Sequence, residues 1–181
     1  MKIGTKSLLF GVHQIFLHPF FVALAWIKLY GIPLHPLIWL SFLVHDLGYF
    51  GKEEMDGPSG DLHPYLGARI MGLFGEKWYL FSLTHSRFLA KQLNLEPSRL
   101  CMADKYAFCM YPRWLYLLLA RASGEVWEYM QGKNGRTQVW TSPEDWHKEV
   151  YDFLQIYVEK MKNGGKDSIT QCDPKRTAQN N

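Results

Sequence analysis

Cysteine is scarce in this chain. Its three copies in 181 residues, Cys101, Cys109 and Cys172, are too few and too unevenly placed for a disulfide framework. No two stand at Cys-x-x-Cys spacing, which argues against a zinc ribbon. Reduced thiols in a cytosolic protein are expected, with Cys101 and Cys109 in the core. Charge of one sign is also in short supply. Lys and Arg number 20 and Asp and Glu 17, a formal +3 that gives no argument for a nucleic-acid duplex as partner and suits, weakly, a small anionic substrate. Long apolar runs are missing too. The stretch from Ile15 to Val44 comes nearest, but His18, Lys28, Gly31, Pro33, His35 and Pro36 interrupt it, so no membrane span is expected. Leu8-Leu9-Phe10, behind Lys2 and Lys6, is too short for a signal peptide. There is no internal repeat, no glycine-rich phosphate loop and no Gly-x-Ser-x-Gly elbow.

Aromatic residues are plentiful, with 7 Trp, 10 Tyr and 11 Phe. Such a supply fits a bulky helical core or a lined pocket. The apolar spacing is helical nearly throughout, and the fold class is all-α. His13 to Tyr30 reads as one central helix, apolar on most sides and ended by Gly31-Ile32-Pro33. Pro36 opens a short helix over Leu37 to Asp46, with Gly48 as its C-terminal cap. Gly51, Gly57, Pro58 and Gly60 make Tyr49 to Leu62 a loop. Asp61 is placed to cap the next helix, which carries His63-Pro64 in its first turn and runs to about Phe74. Further helices are expected over Glu76 to Thr84, Arg87 to Leu93 and Ser98 to Phe108, then a long one from Pro112 to about Met130. Gly132 to Thr141 reads as a turn or short hairpin. Ser142-Pro143-Glu144-Asp145 is a strong helix start. Behind it Trp146, Val150, Phe153, Tyr157 and Met161 form the buried stripe of the last helix. One domain over residues 1–162 is expected, with Asn163 to Asn181 a disordered polar tail.

Within this frame lie His18, His45-Asp46, His63, His85 and Asp104. The intervals of 27, 17, 22 and 19 residues each carry the chain from one short helix to another. Imidazole nitrogen and carboxylate oxygen are the donors a borderline transition metal accepts, and six of them can hold two ions. A charged Asp ending an apolar helix is costly unless paired or metal-bound. His35, between two prolines, and His147, beside Trp146, read as non-ligands.

These residues resemble the HD superfamily of metal-dependent phosphohydrolases. The resemblance is carried by HPFFVALAW at 18–26, FLVHDLGYF at 42–50, HPYLGARIM at 63–71, THS at 84–86 and ADKYAF at 103–108. It spans roughly Gly11 to Phe108 and implies an HD-like helical bundle. It also implies a first ion held by His18, His45, Asp46 and Asp104. His13 competes with His18 for the first place, and His18 is favoured. His63 and His85 match the extra histidines of two-metal members, with Asp46 bridging. Tyr49-Phe50 stands where alarmone hydrolases of this superfamily carry Glu-Asp, and the marks of the HD-GYP cyclic-di-GMP phosphodiesterases are missing. The expected activity is hydrolysis of a small phosphate ester, such as a nucleotide, by two divalent ions (Mn, Fe, Co, Mg or Zn) with Asp46, Lys105 and Arg87 as catalytic groups. The same ligand set is similar to that of the HD-type mixed-valent di-iron oxygenases, which cleave a C–C or C–P bond with O2. Arg121 and Glu125 are expected to pair across one helical turn.

Overall fold

A computed structural model describes residues 1–131 and 140–162, with side chains to residue 160. The expected turn or hairpin after Gly132, the tail from Asn163 and the Met161 side chain fall outside the described residues. The architecture is all-α, with ten α-helices and no strand among the described residues. The helices are α1 (Ile3–Phe10), α2 (Leu17–Tyr30), α3 (Pro36–Val44), α4 (Pro64–Gly72), α5 (Glu76–Leu83), α6 (Arg87–Gln92), α7 (Arg99–Met110), α8 (Arg113–Ser123), α9 (Glu125–Met130) and α10 (Pro143–Lys162). Short 3-10 turns at Leu47–Tyr49 and Gly60–Leu62 flank the loop between α3 and α4.

The core is built where α2 lies along α7. Val22, Ala25 and Trp26 of α2 meet Leu100, Ala103 and Ala107 of α7, and alanines let the two backbones come close. A second helix pair, α4 with α5, packs against α3 and α7, and α10 packs across α7, α8 and α9. The start of α10 is capped as expected. Asp145 N–H donates to Ser142 Oγ, whose hydroxyl in turn donates to the Asp145 carboxylate, with Pro143 in the first turn. Cys101 and Cys109 are buried thiols, in line with the sequence.

Several expectations are corrected. The helix read from His13 to Tyr30 starts only at Leu17, because residues 11–16, His13 among them, form the connection from α1 to α2. Nor is α2 buried all round. Phe16, Phe20, Leu24 and Ile27 repeat at helical spacing on its outer side, Phe16 being 80% exposed. The helix after Pro112 breaks at Gly124, which takes the left-handed conformation (φ 88°) as the cap of α8. Arg121 does not pair with Glu125. It reaches Glu144 at 2.6 Å, while Glu125 turns inward. On α10 Leu154 takes the buried place given to Phe153, which is exposed. Asp61 falls inside the 3-10 turn, and His63 occupies the cap position of α4. No helix is long and apolar enough to cross a membrane among the described residues.

Candidate metal centre

Five separate segments deliver the six candidate ligands. His18 stands in the first turn of α2, and Asp104 in the middle of α7. His63 precedes Pro64 at the start of α4, and His85 lies between α5 and α6. His45 and Asp46 follow the end of α3. Adjacent side chains on a continuing helix point about 100° apart. Here the helix stops at Val44, and Asp46 adopts φ −99°, ψ 0°, so both side chains turn to one place.

Two glycines make this convergence possible by close approach. A Cβ on Gly48 would stand 1.9 Å from the His63 carbonyl oxygen, and one on Gly67 would stand 2.5 Å from that of Val44. Gly48 therefore does not cap α3, as its sequence position suggested. It lets the chain after Asp46 lie directly on the backbone of His63.

The six side chains form two groups that share Asp46. One contains His18, His45, Asp46 and Asp104, the other Asp46, His63 and His85, with the donor atoms of each group within 4.8 Å of one another. Asp46 Oδ2 faces His18 Nε2 at 3.2 Å and His45 Nε2 at 3.3 Å. Its other oxygen, Oδ1, faces His63 Nε2 at 3.4 Å and His85 Nε2 at 3.5 Å. Asp104 Oδ1 lies 3.0 Å from His18 Nε2. Donor atoms on one ion at about 2.1 Å stand roughly 3.0–3.4 Å apart, so these spacings suit shared ions.

Every histidine of the cluster turns Nε2 inward. Three of them turn Nδ1 to the carbonyl three residues earlier: His45 to Phe42, His63 to Gly60 and His85 to Ser82. A carbonyl only accepts, so Nδ1 carries the proton and Nε2 is the ring atom left for a metal. Burial pushes His63 down to about 3, leaving its imidazole neutral. Its Nε2 lies 3.1 Å from His85 Nε2. Burial also opposes a proton on His45, but the Asp46 and Asp104 carboxylates outweigh it and push that group up to about 10. Burial disfavours ionised Asp46 as well, yet His45 and the hydrogen bonds from the surrounding imidazoles hold its carboxyl well below the usual range. His45 Nε2 and Asp46 Oδ2 remain buried without a well-formed hydrogen bond, and the same is true of His18 Nδ1. A buried, charge-rich cluster with orphaned donor atoms fits a cation. The group the sequence favoured over His13, His18, is the one within the cluster.

The other two predicted residues lie differently. Lys105 is half-buried on α7, one residue past Asp104. Arg87 opens α6 and sets its guanidinium 5.7 Å from the Tyr157 ring of α10.

Sequence reasoning missed two neighbours of the cluster. Tyr49 stacks on His63 with ring centroids 3.9 Å apart and planes 12° from parallel. Glu125, fully buried on α9, accepts hydrogen bonds from Ser7 Oγ, Val12 N–H, Ser123 Oγ and Tyr129 OH, and lies 3.0 Å from His13 Nδ1. The left-handed Gly124 between two helical patterns was the available signal, since a break there frees Glu125 from the face of α8. Comparison with family models, with curated proteins and with solved structures finds no match. The helical architecture and the His/Asp cluster are compatible with an HD-like site.

Proposed function

We propose that this protein is a phosphohydrolase that acts on a small phosphate ester, such as a nucleotide, with two divalent ions. The observation that carries this reading is the division of Asp46, whose two oxygens face two separate groups of Nε2 atoms. His18, His45, Asp46 and Asp104 would hold one ion, and Asp46, His63 and His85 the other. Two cations placed there would neutralise a phosphoryl group and supply a nucleophile from water at neutral pH. The imidazole-rich donor set favours manganese, iron, cobalt or zinc over magnesium.

The chain's own contribution is preorganisation. The backbone carbonyls that accept from His45, His63 and His85 fix those rings before any substrate arrives. Burial keeps competing water from the inner ligands, and Asp104, with its side chain 24% exposed, marks the open side. Lys105 follows it on the same helix, about 100° round the axis, and its long side chain would have to swing back to meet an anion at that opening. Arg87 fits a bracing role through Tyr157 better than a substrate contact.

Metal analysis of the purified chain, followed by a phosphate-release screen over nucleotides and sugar phosphates without oxygen, tests the proposal. Two ions per chain and anaerobic phosphate release are expected. Four imidazoles with two carboxylates also suit a di-iron oxygenase. Substrate-dependent oxygen uptake with a mixed-valent iron signal, and no phosphoester cleavage without air, would replace the hydrolase with that enzyme.

A further inference from the structure

His13 stands against the cluster without belonging to it. Its ring lies 5.0 Å from that of His18 and 5.3 Å from that of Tyr49, which stacks on His63. It is not one of the residues whose donor atoms converge. A cavity of about 10 Å³, room for about one water molecule, touches His13 together with His18, His45 and Asp46. Its remaining lining is apolar, with Leu8, Phe42 and Leu43 among it. His13 is therefore the one polar lining residue outside the candidate ligands.

The ring is also oriented. The Ser7 hydroxyl donates to Glu125 Oε2, so its oxygen is left as an acceptor, and His13 Nδ1 sits 2.9 Å from it and 3.0 Å from the same carboxylate oxygen. Both neighbours of Nδ1 accept, so Nδ1 carries a proton. Nε2, on the other side of the ring, makes no hydrogen bond among the described residues. The His13 side chain is 16% exposed, second only to Asp104 within this group of rings and carboxylates. The ring is thus partly open to solvent while also lining the small cavity, so an incoming group too large for that cavity would still meet it.

We propose that His13, held by Glu125, is a substrate-binding residue whose Nε2 meets a phosphoryl oxygen beside the candidate ligands. The inference rests on the phosphohydrolase reading. Glu125 serves it as a positioning residue, tying α1, the connection before α2 and α9 to one carboxylate.

The test uses the full chain loaded with manganese and inorganic phosphate as the probe. His13→Asn is the informative variant, because an amide nitrogen at the place of Nδ1 keeps the partner of buried Glu125 while the Nε2 position is lost. His13→Ala leaves Glu125 without that partner and serves as the comparison. Calorimetric titration should show phosphate binding to His13→Asn weakened about tenfold, with two ions per chain retained and a melting temperature near that of the wild type. Unchanged phosphate affinity in His13→Asn would overturn the inference and leave the hydrolase reading standing. Loss of an ion in His13→Asn would overturn it by making His13 a ligand. Wild-type protein that holds its ions but binds no phosphate would bring down the hydrolase reading and the inference together.

Discussion

Replacing Gly48 with alanine should damage the fold and the centre together. The new methyl carbon would lie 1.9 Å from the His63 carbonyl oxygen and 2.7 Å from its carbonyl carbon. Both are backbone atoms, so no side-chain rotation relieves the clash, and one segment must retreat by roughly 1.5 Å to restore ordinary contact. Overpacking against fixed backbone costs about 3 kcal/mol, which at this chain length lowers the melting temperature by roughly 6–12 °C. The retreat also carries His63 away from Asp46 Oδ1 and His85, now 3.4 and 3.1 Å from its Nε2. Metal sites tolerate about 0.2 Å of error, so the variant should keep one ion per chain instead of two. Calorimetry with elemental analysis reads both effects in one preparation. Gly51→Ala is the control. Gly51 has φ +79° but nothing within 4 Å of an added Cβ, so it should lose about 1 kcal/mol and no metal. Wild-type melting and full metal content in Gly48→Ala would refute the close-approach argument.

Asp46→Ala should lose most bound metal, because it removes a donor from both groups, whereas Asp104→Ala should spare the His63–His85 ion; elemental analysis separates the two outcomes. Lys105→Ala should lower kcat/KM about tenfold with metal content unchanged, as expected for a lost phosphate contact. His147 is buried among Phe108, Tyr116 and Tyr151, and burial pushes it down to about 4. The unfolded chain binds this proton near pH 6.5 and the folded chain does not. Stability from this group is therefore complete above about 6.5 and lost progressively as pH falls toward 4. Denaturant titrations across that window should show the slope in wild type and a flatter one in His147→Leu. His13 behaves in the opposite sense. Burial opposes its proton, but Glu125 overrides burial and raises it to about 9, so its contribution is full below about 6.5 and disappears as pH rises through 9. Glu125→Gln should remove that alkaline loss and should itself cost about 3 kcal/mol by stripping the buried hydrogen-bonded pair.

The convergence of the candidate ligands was legible in the sequence through their residue types and spacing. Four histidines and two aspartates are costly to bury unless they meet a cation or one another, and the structure brings all six together. Helix existence was legible from the apolar period, and the Ser142 to Asp145 start was read to the residue. What failed depends on contacts distant in the chain. Gly48 looks like a cap locally, yet its reason is the backbone of His63, fifteen positions on. Glu125 looks like the helical partner of Arg121, yet it is drawn inward by Ser7, Val12 and His13, more than a hundred positions earlier in the sequence. The outer face of α2 reads as core because its residues are apolar, and only the packing shows which side meets α7.

The five segments that deliver the candidate ligands span residues 18 to 104, and no unfolded chain holds them together. Any ion bound there acts as a reversible cross-link that only the native state possesses. Its free concentration then becomes a thermodynamic variable of the fold, contributing RT ln(1 + [ion]/Kd), or about 4 kcal/mol at a thousandfold excess over Kd. A chelator would thus behave as a mild denaturant, and cells starved of the metal would hold less of the folded chain even before any turnover was measured.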